Sequence, residues 1–392
     1  MTPTRFARAA ARYGPFLTVI VIASLLTSPA ANDHFQFWWV GHLIATGRSP
    51  YEPSAWAAAL TYGPAAGAVA QNCVVPEAAA CLWVYPPWTA WIFAPTGALD
   101  PQAGIALQRI MLTAALGIGA VLWVRLAQPI GMRSGALLVA FAASAPFVRD
   151  ILTGHFEGVL LIGLALLAIG LRDRRTVMIA AGVVLLALKP HLFIALAVII
   201  LVWLIRERWY RALAGTAAVL GLLAAIGSAS DPLAGPALVT RSFAKQNVAS
   251  ATAWGFASRI GDASGLFAAA FIVLIPIAAV VVLWWRPAPA GRPVTLVATG
   301  AAVSLAIAPY AQSYDAILLL PAVAIALTGL RPLTAIIAAS TIVIVTWVAY
   351  ALELAGDPRS FVGVLPAIAL GVITLRAWAR RTPSPEPAAA RS

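Results

Sequence analysis

Residues 14–51, GPFLTVIVIASLLTSPAANDHFQFWWVGHLIATGRSPY, join a long apolar run to a shorter aromatic segment. The run 14–31 approaches the roughly 20 apolar residues that a helix needs to cross a membrane. Comparable runs recur along the 392 residues, of which 61% are hydrophobic and 10% charged, whereas a soluble domain carries about 25% charged residues. The runs are apolar throughout, and strands of a membrane barrel would alternate polar and apolar residues. The sequence therefore predicts an all-α, polytopic membrane bundle.

The apolar runs predict thirteen helices, near residues 14–31, 85–99, 105–127, 134–149, 156–171, 176–188, 191–206, 210–229, 264–285, 293–308, 314–330, 333–353 and 361–379. Arginines flank the first and the last run, which favours two cytoplasmic termini and an even number of crossings. One short, proline-containing segment is therefore expected not to cross, either 85–99, which we favour, or 134–149. We expect about twelve transmembrane helices in one domain, residues 1–381, followed by a disordered cytoplasmic tail, residues 382–392.

The net charge of +12 comes mainly from arginines in short loops. This pattern fits the excess of basic residues in cytoplasmic loops of membrane proteins better than a nucleic-acid partner. We interpret run 14–31, preceded by three arginines, as an uncleaved helix with its N-terminus in the cytoplasm. That orientation places Arg172–Arg175 inside and eleven of the fourteen acidic residues outside. The acidic excess indicates a polar site on the outer face of the cytoplasmic membrane.

Segment 33–47 in the first outer loop is too short to span a membrane. Its large apolar residues at helical spacing are Phe35, Trp38, Trp39 and Leu43. This stripe predicts an interfacial helix, lying in the plane of the membrane surface. Asp33, followed by His34, would start the helix. Two interpretations of Asp33 are open: it caps the helix, because its carboxylate can accept a hydrogen bond from a free amide of the first turn, or it is catalytic.

Further polar residues gather at the same predicted face, at the ends of apolar runs. They are Arg149, Asp150, His155, Glu157, Lys189, His191, Lys245, Gln312, Tyr314 and Asp315. Simpler interpretations exist, since Lys189 could extend its ammonium to the lipid headgroups and Arg149 could form a local ion pair with Asp150. Polar groups in membrane helices are costly and tend to be functional. Their grouping therefore predicts a shared cavity.

In such a cavity, cations suit a phosphate carried on a lipid, and a carboxylate suits a general base that acts on an attacking hydroxyl. The residues expected on the donor-phosphate side are Arg149, His155, Lys189, His191, Lys245, Gln312 and Tyr314. Those expected at the acceptor or in other polar contacts are His34, Tyr51, Glu157 and Asp315. Aromatic faces for sugar rings could come from Tyr51, Trp88 and Trp91. The sequence contains no phosphate-binding loop, dinucleotide fingerprint or Cys/His metal pattern, so we expect neither a metal nor a cofactor.

Cys73 and Cys81 lie in the same predicted outer loop, residues 55–84. A disulfide is chemically permitted in an oxidising compartment. We expect one here that pins the loop over the cavity, and two buried free thiols are the alternative.

Several short motifs occur in an order that resembles a known family. Asp33 followed by Gly47-Arg48-Ser49-Pro50-Tyr51 resembles the first-outer-loop signature of GT-C membrane glycosyltransferases. Shorter similarities are Tyr85-Pro86-Pro87, Gly154-His155, Leu188-Lys189-Pro190 and Ser313-Tyr314-Asp315 leading into Pro321. Together they are most similar to the polyprenol-phosphate-mannose-dependent α-mannosyltransferases of glycosyltransferase family 87, over about residues 14–330. His155 departs from the family pattern, which often has Gln there.

The resemblance implies a GT-C fold in which Asp33 is the base. It also implies transfer of a sugar, mannose, from a polyprenyl-phosphate donor to a lipid-linked or glycan acceptor outside the membrane, with inversion. Within this class, an enzyme for another isoprenoid-linked sugar such as arabinofuranose is the alternative. A transporter or flippase of lipid-linked sugars is the alternative from another class. It should carry its charges near the middle of the membrane on broken helices, whereas the polar residues here lie at one end.

Overall fold

The computed structural model describes residues 3–25, 33–59, 83–127, 133–235, 274, 292–308, 311–328 and 332–355, which are helical and contain no strand. The α-helices are α1 (Pro3–Leu25), α2 (Asp33–Ala45), α3 (Pro53–Ala59), α4 (Pro87–Trp91), α5 (Ala94–Gly97), α6 (Pro101–Ala127), α7 (Arg133–Ala142), α8 (Ala145–Thr153), α9 (Glu157–Arg172), α10 (Thr176–Leu186), α11 (Ile194–Arg206), α12 (Tyr210–Ser230), α13 (Arg292–Ile307), α14 (Leu320–Thr328) and α15 (Pro332–Leu354). Two 3₁₀ helices, Pro190–Leu192 and Ser313–Leu319, precede α11 and α14.

Only some of the described helices are both long and apolar enough to cross a membrane unaided. They are α6, α12 and most of α15, with α7 and α8 as a fourth span if this bent pair is counted as one. The described residues therefore do not confirm twelve crossings, and that number stays a prediction. The predicted helices 264–285 and 361–379 and the tail 382–392 lie outside the described residues. So do Cys73, Cys81 and Lys245.

Helix α9 lies among other helices, packed against α6, α10 and α13. Its sequence, EGVLLIGLALLAIGLR, is apolar on all sides between its first and last residues, which is typical of a helix without a solvent face. The Trp123 indole of α6 donates a hydrogen bond to the Leu161 carbonyl of α9 (3.0 Å). The first residue of α9, Glu157, is therefore an acid at the end of an otherwise apolar, buried helix.

Helix α2 forms where the sequence predicted a helix, but its environment differs from the prediction. Its buried residues are His34, Phe35, Phe37, Trp38, Trp39, Val40, Gly41 and Leu43. The prediction of a single apolar stripe is wrong, because α4, α5 and α6 also pack around this helix. Its position at the membrane interface stays a prediction. Gly41 permits the close crossing with α5, since a Cβ there would overlap the Phe93 carbonyl.

Segment 85–99 forms the two short helices α4 and α5 instead of one continuous helix. Side chains of α4 bind the end of α10: Trp88 Nε1 donates to the Ala187 carbonyl and Thr89 Oγ1 to the Leu188 carbonyl, both at 2.9 Å. The last carbonyls of a helix have no partner within it, so α4 supplies partners for them. The other candidate segment, 134–149, forms the pair α7 and α8, bent by 58°.

Charged turns lie at opposite ends of the bundle. Glu157 begins α9 and Arg172 ends it, about 24 Å away for 16 residues. At the Arg172 end, Arg174 pairs with Glu207 (3.1 Å), so the α9–α10 and α11–α12 turns are neighbours. At the Glu157 end lies Lys189, in the turn that follows α10. The arginine-rich turns are therefore separated from the predicted polar site.

Replacing Gly41 by alanine is expected to weaken the docking of α2, because the new Cβ would overlap the Phe93 carbonyl. Overpacking of this kind costs about 1–3 kcal/mol and should lower the melting temperature of the purified protein in detergent. Gly14→Ala in α1 is the matched control, since nothing lies within 4 Å of its new Cβ and alanine is the better helix former. Equal melting temperatures for the two variants would contradict this packing.

Candidate active site

Five segments that are far apart in the sequence meet at one end of α9. They are the start of α2, helix α8, the turn between α8 and α9, the turn after α10 and the 3₁₀ helix Ser313–Leu319. Their side chains, here called the polar cluster, are Asp33, Arg149, His155, Glu157, Lys189, Tyr314 and Asp315. The structure thus brings into one cluster residues that the sequence assigned to one face of the membrane.

The Lys189 ammonium joins two acids of the polar cluster. Its Nζ donates to the Glu157 carboxylate and, at 2.7 Å, to Asp315 Oδ1. None of the three side chains is more than 1% exposed, and the Tyr314 ring centre lies 5.0 Å from Nζ. The interpretation in which Lys189 extends to the lipid headgroups is therefore wrong. Because its charge is already paired inside the protein, the geometry favours a structural role over direct binding of a phosphate.

Asp315 is also fixed by the beginning of its own helix. Its Oδ2 accepts a hydrogen bond from the Gln312 backbone N–H (2.7 Å), and the Gln312 side chain accepts one from the Asp315 backbone. This reciprocal pair is a capping box, which satisfies free amides at the start of a helix. Gln312 therefore orients Asp315 toward Lys189.

A further buried carboxyl, Asp150, lies next to Glu157. It is 2% exposed and within hydrogen-bonding reach of Glu157. Asp150, Glu157 and Asp315 share the single positive charge of Lys189. Carboxyl groups in such close contact cannot all be ionised. Among the described residues, neither Asp150 Oδ1 nor Glu157 Oε2 meets a hydrogen-bond donor.

Asp33 differs from these acids because its side chain reaches the edge of the cluster, with 22% of it exposed. Its Oδ2 contacts His155 Nε2, and His155 Nδ1 lies 4.0 Å from Glu157 Oε2. The His155 ring stacks on Tyr314, with 3.6 Å between centroids and 22° between planes. His155, which the sequence assigned to the donor phosphate, thus lies against the Asp33 carboxylate.

His34 supports the turn that carries His155. Its buried Nε2 lies 3.3 Å from the Ile151 carbonyl. Burial lowers the pKa of His34 to about 4, so the ring is neutral near pH 7 and Nε2 must carry the proton that it donates to this carbonyl. Gly154 ends α8 with a φ of 82°, a left-handed conformation that favours glycine, and any Cβ there would overlap the His34 ring.

Arg149, on helix α8, also lies beside the Tyr314 ring. Its guanidinium donates to the Ser313 hydroxyl. The guanidinium carbon lies 5.4 Å from the Tyr314 ring centre and 5.0 Å from that of Tyr350 in α15. Aromatic faces attract a cation such as this guanidinium. The proposed local ion pair with Asp150 is thus replaced by contacts to Ser313 and two rings.

Other residues of the sequence prediction serve different contacts. Tyr51 is 1% exposed and its hydroxyl donates to the Tyr85 carbonyl, so the prediction that its ring faces a sugar is wrong. His191 is partly exposed in the turn that follows Lys189. Trp88, bound to the end of α10, and Trp91 are also partly exposed. Among the described residues, no three His, Cys, Asp or Glu side chains are arranged to hold a metal ion.

Comparison with known protein families identifies the class of protein that carries this cluster. The sequence model of glycosyltransferase family 87 matches residues 83–311, more than half of the chain. The chain belongs to glycosyltransferase family 87. It is therefore a membrane glycosyltransferase, with a sugar donor and an acceptor as its substrates. No curated protein and no solved structure matches the chain.

The residues matched by the family model carry only part of the polar cluster of this glycosyltransferase. Arg149, His155, Glu157 and Lys189 lie within them, whereas Asp33 and Asp315 lie outside. Tyr350, which belongs to α15 and faces Arg149, was not predicted from the sequence. Its signal was present in Thr346, Trp347 and Tyr350, three hydrogen-bonding residues on one side of a helix whose other residues are mostly apolar.

Lys189→Met is expected to destabilise the glycosyltransferase by about 3–5 kcal/mol, because it leaves buried carboxylates without their cation. Acidic buffer should reduce the loss, since protonation of Glu157 and Asp315 removes the uncompensated negative charge. Melting temperatures of the purified protein at neutral and acidic pH measure both effects.

Arg174→Met is the matched control for this change, because it breaks an exposed ion pair, with Glu207. Exposed pairs contribute about 0–1 kcal/mol, so a small and pH-independent change is expected. If Lys189→Met melts like the unmodified protein at neutral pH, Lys189 is not the link that holds the cluster.

Proposed function

We propose that this family 87 glycosyltransferase transfers mannose from a polyprenyl-phosphate donor to a hydroxyl of a lipid-linked or glycan acceptor, with Asp33 as general base. The observation that carries the proposal is the exposure of Asp33. Its side chain is 22% exposed, whereas Asp150, Glu157 and Asp315 are at most 2% exposed. A general base must reach the proton that it removes, and of these four acids Asp33 is the one that an acceptor can approach.

The reaction is a single in-line displacement at the anomeric carbon. Asp33 takes the proton of the acceptor hydroxyl, the acceptor oxygen forms the new bond to that carbon, and the bond to the phosphate oxygen breaks. The electron pair of this bond leaves with the polyprenyl phosphate, and the configuration inverts. His155, held by its stacking on Tyr314, keeps the Asp33 carboxylate in one orientation during the proton transfer.

Arg149 is the cation best placed for the departing phosphate. Its guanidinium is held by Ser313 and two aromatic rings, whereas the Lys189 ammonium is paired with two carboxylates. Guanidinium groups bind phosphate through two parallel hydrogen bonds. A fixed cation at the position where negative charge develops lowers the barrier of such a transfer.

Two parts of this proposal, the mannosyl donor and the position of the polar cluster on the outer face of the membrane, rest on the sequence. The order of motifs from Asp33 to Asp315 resembles enzymes that use polyprenol-phosphate mannose. The arginine-rich turns at the far end of α9 favour a cytoplasmic position for that end, and the polar cluster would then face outward.

Asp33→Asn is expected to lower kcat by about 10²–10⁴-fold, the usual contribution of a general base. Because Asn caps a helix as well as Asp does, α2 should keep its start. The assay follows transfer of labelled mannose from polyprenyl-phosphate mannose to lipids extracted from the native membrane, with the purified enzyme in detergent.

Asp100→Asn is the matched control for Asp33→Asn. The Asp100 carboxylate accepts hydrogen bonds from the backbone amides of Gln102 and Ala103 at the start of α6, and it is exposed and outside the polar cluster. Its variant should keep normal turnover. Near-normal turnover of Asp33→Asn would exclude Asp33 as the base.

Cysteine labelling tests the proposed orientation in a background that carries Cys73→Ser and Cys81→Ser. Asp100 lies at the polar-cluster end, since Gln108 of the same helix donates to the His34 carbonyl (3.3 Å), and Asp173 lies at the arginine-rich end. A membrane-impermeant maleimide should label Asp100→Cys on intact cells, and Asp173→Cys only after permeabilisation. The reverse pattern would place the cluster in the cytoplasm and refute the outward-facing site.

A further inference from the structure

The break between α7 and α8 leaves backbone groups without partners in their own segment. Ser144 is extended, with φ −74° and ψ 146°, and Pro146 in the first turn of α8 has no N–H to donate. The Ser144 N–H binds the Phe141 carbonyl, and the Ser144 carbonyl accepts from Val148. The Ala143 carbonyl and the Ala145 N–H are among the groups that remain. Such groups at membrane depth need a partner, since hydrocarbon offers none.

Helix α15 supplies both partners. Trp347 Nε1 donates to the Ala143 carbonyl at 2.8 Å, and the Ala145 N–H donates to Thr346 Oγ1 at 3.3 Å. One turn further along α15, the Tyr350 ring lies 5.0 Å from the Arg149 guanidinium carbon. Residues 346, 347 and 350 share one side of a helix. The same face of α15 therefore contacts the break and, one turn later, Arg149. The break in turn directs Arg149 toward Ser313.

The remaining surface of α15 is apolar and exposed, as expected for a surface in contact with lipid. Its most exposed apolar residues are Leu333, Ile336, Ile337, Ile344, Val348 and Leu354. Apolar residues alone would suffice for a helix that only forms a wall of the bundle. Here an indole and a hydroxyl bind the break, and a phenol ring contacts the Arg149 guanidinium. Moreover, α15 lies beyond residues 83–311, where the family model matches.

We infer that α15 is part of the donor site, with Thr346 and Trp347 holding the break between α7 and α8, and Tyr350 orienting the Arg149 guanidinium toward the donor phosphate. The inference about Tyr350 rests on the proposed role of Arg149. These three are positioning residues, which act through α8 and do not touch the reacting atoms. Bending of α8 by 58° relative to α7 directs Arg149 toward Ser313 and Tyr314, and α15 maintains that bend.

Hydrogen–deuterium exchange with residue-level fragmentation tests the contact with the break, independently of any sugar transfer. Thr346→Val removes the acceptor of the Ala145 amide, whose exchange should become about 2- to 10-fold faster, the net worth of one hydrogen bond. Thr341→Val on the same helix is the matched control, because the Thr341 hydroxyl is exposed and binds only its own helix, at the Ile337 carbonyl. Unchanged exchange at Ala145 in Thr346→Val would overturn the inference.

Binding of farnesyl phosphate, a short polyprenyl phosphate, tests the role of Tyr350. Tyr350→Leu should raise the Kd about 3- to 30-fold, the range expected for loss of a cation–aromatic contact. Tyr350→Phe keeps the ring and should recover most of that loss. In turnover assays, Tyr350→Leu should raise the donor KM more than it lowers kcat, and Thr341→Val should leave both unchanged.

The two measurements separate the two proposals. If the unmodified enzyme does not bind farnesyl phosphate, the proposed donor class fails, and exchange at Ala145 still decides whether α15 holds the break. If the unmodified enzyme binds and Tyr350→Leu binds equally well, the assignment of Tyr350 is refuted while the donor class stands.

Discussion

A buried ammonium shared by two carboxylates holds the active end of this protein together. Lys189 bonds Glu157, 32 residues before it, and Asp315, 126 residues after it. Removing charges from water costs several kcal/mol for each ion, and only close partners offset that cost. Any shift of α9, of the turn after α10 or of the 3₁₀ helix Ser313–Leu319 would separate charges that have no access to water. The ion pairs therefore restrict three segments to one relative arrangement.

Tyr314 connects these ion pairs to the groups that we propose take part in the reaction. Its ring faces Lys189, stacks on His155 and lies beside Arg149. The base and the phosphate-binding cation are consequently both positioned around one aromatic residue, and the ion pair of neighbouring Asp315 fixes that residue in place. Groups that are already oriented need not reorganise when charge develops in the transition state, which is the main source of electrostatic catalysis.

Irregular backbone is stabilised in the same protein by donors from large side chains. Indole N–H groups donate to carbonyls at the end of α10, at the break before α8 and after α5: these are Trp88 to Ala187, Trp347 to Ala143 and Trp38 to Leu99. An indole carries a single donor on a large apolar ring, so it can satisfy a carbonyl and still pack against apolar neighbours. Helices can therefore break and turn within this apolar bundle at the points where the polar cluster needs them.

The sequence by itself determined the helical class, most helix positions and the end of the bundle at which polar residues gather. These features depend on local patterns: apolar runs become helices, and residues at the ends of successive runs return to the same face. Tertiary structure alone decided the rest. Helix α2 has the pattern of an interfacial helix but is covered by α4, α5 and α6. Lys189 points inward because its partners, Glu157 and Asp315, come from other segments. Tyr350 and Arg149 are 201 residues apart in the sequence, as are Ala145 and Thr346, and no local pattern connects residues at that distance. Which partner a polar side chain meets in an apolar interior depends on packing between distant segments, and for that reason it could not be predicted from spacing along the chain.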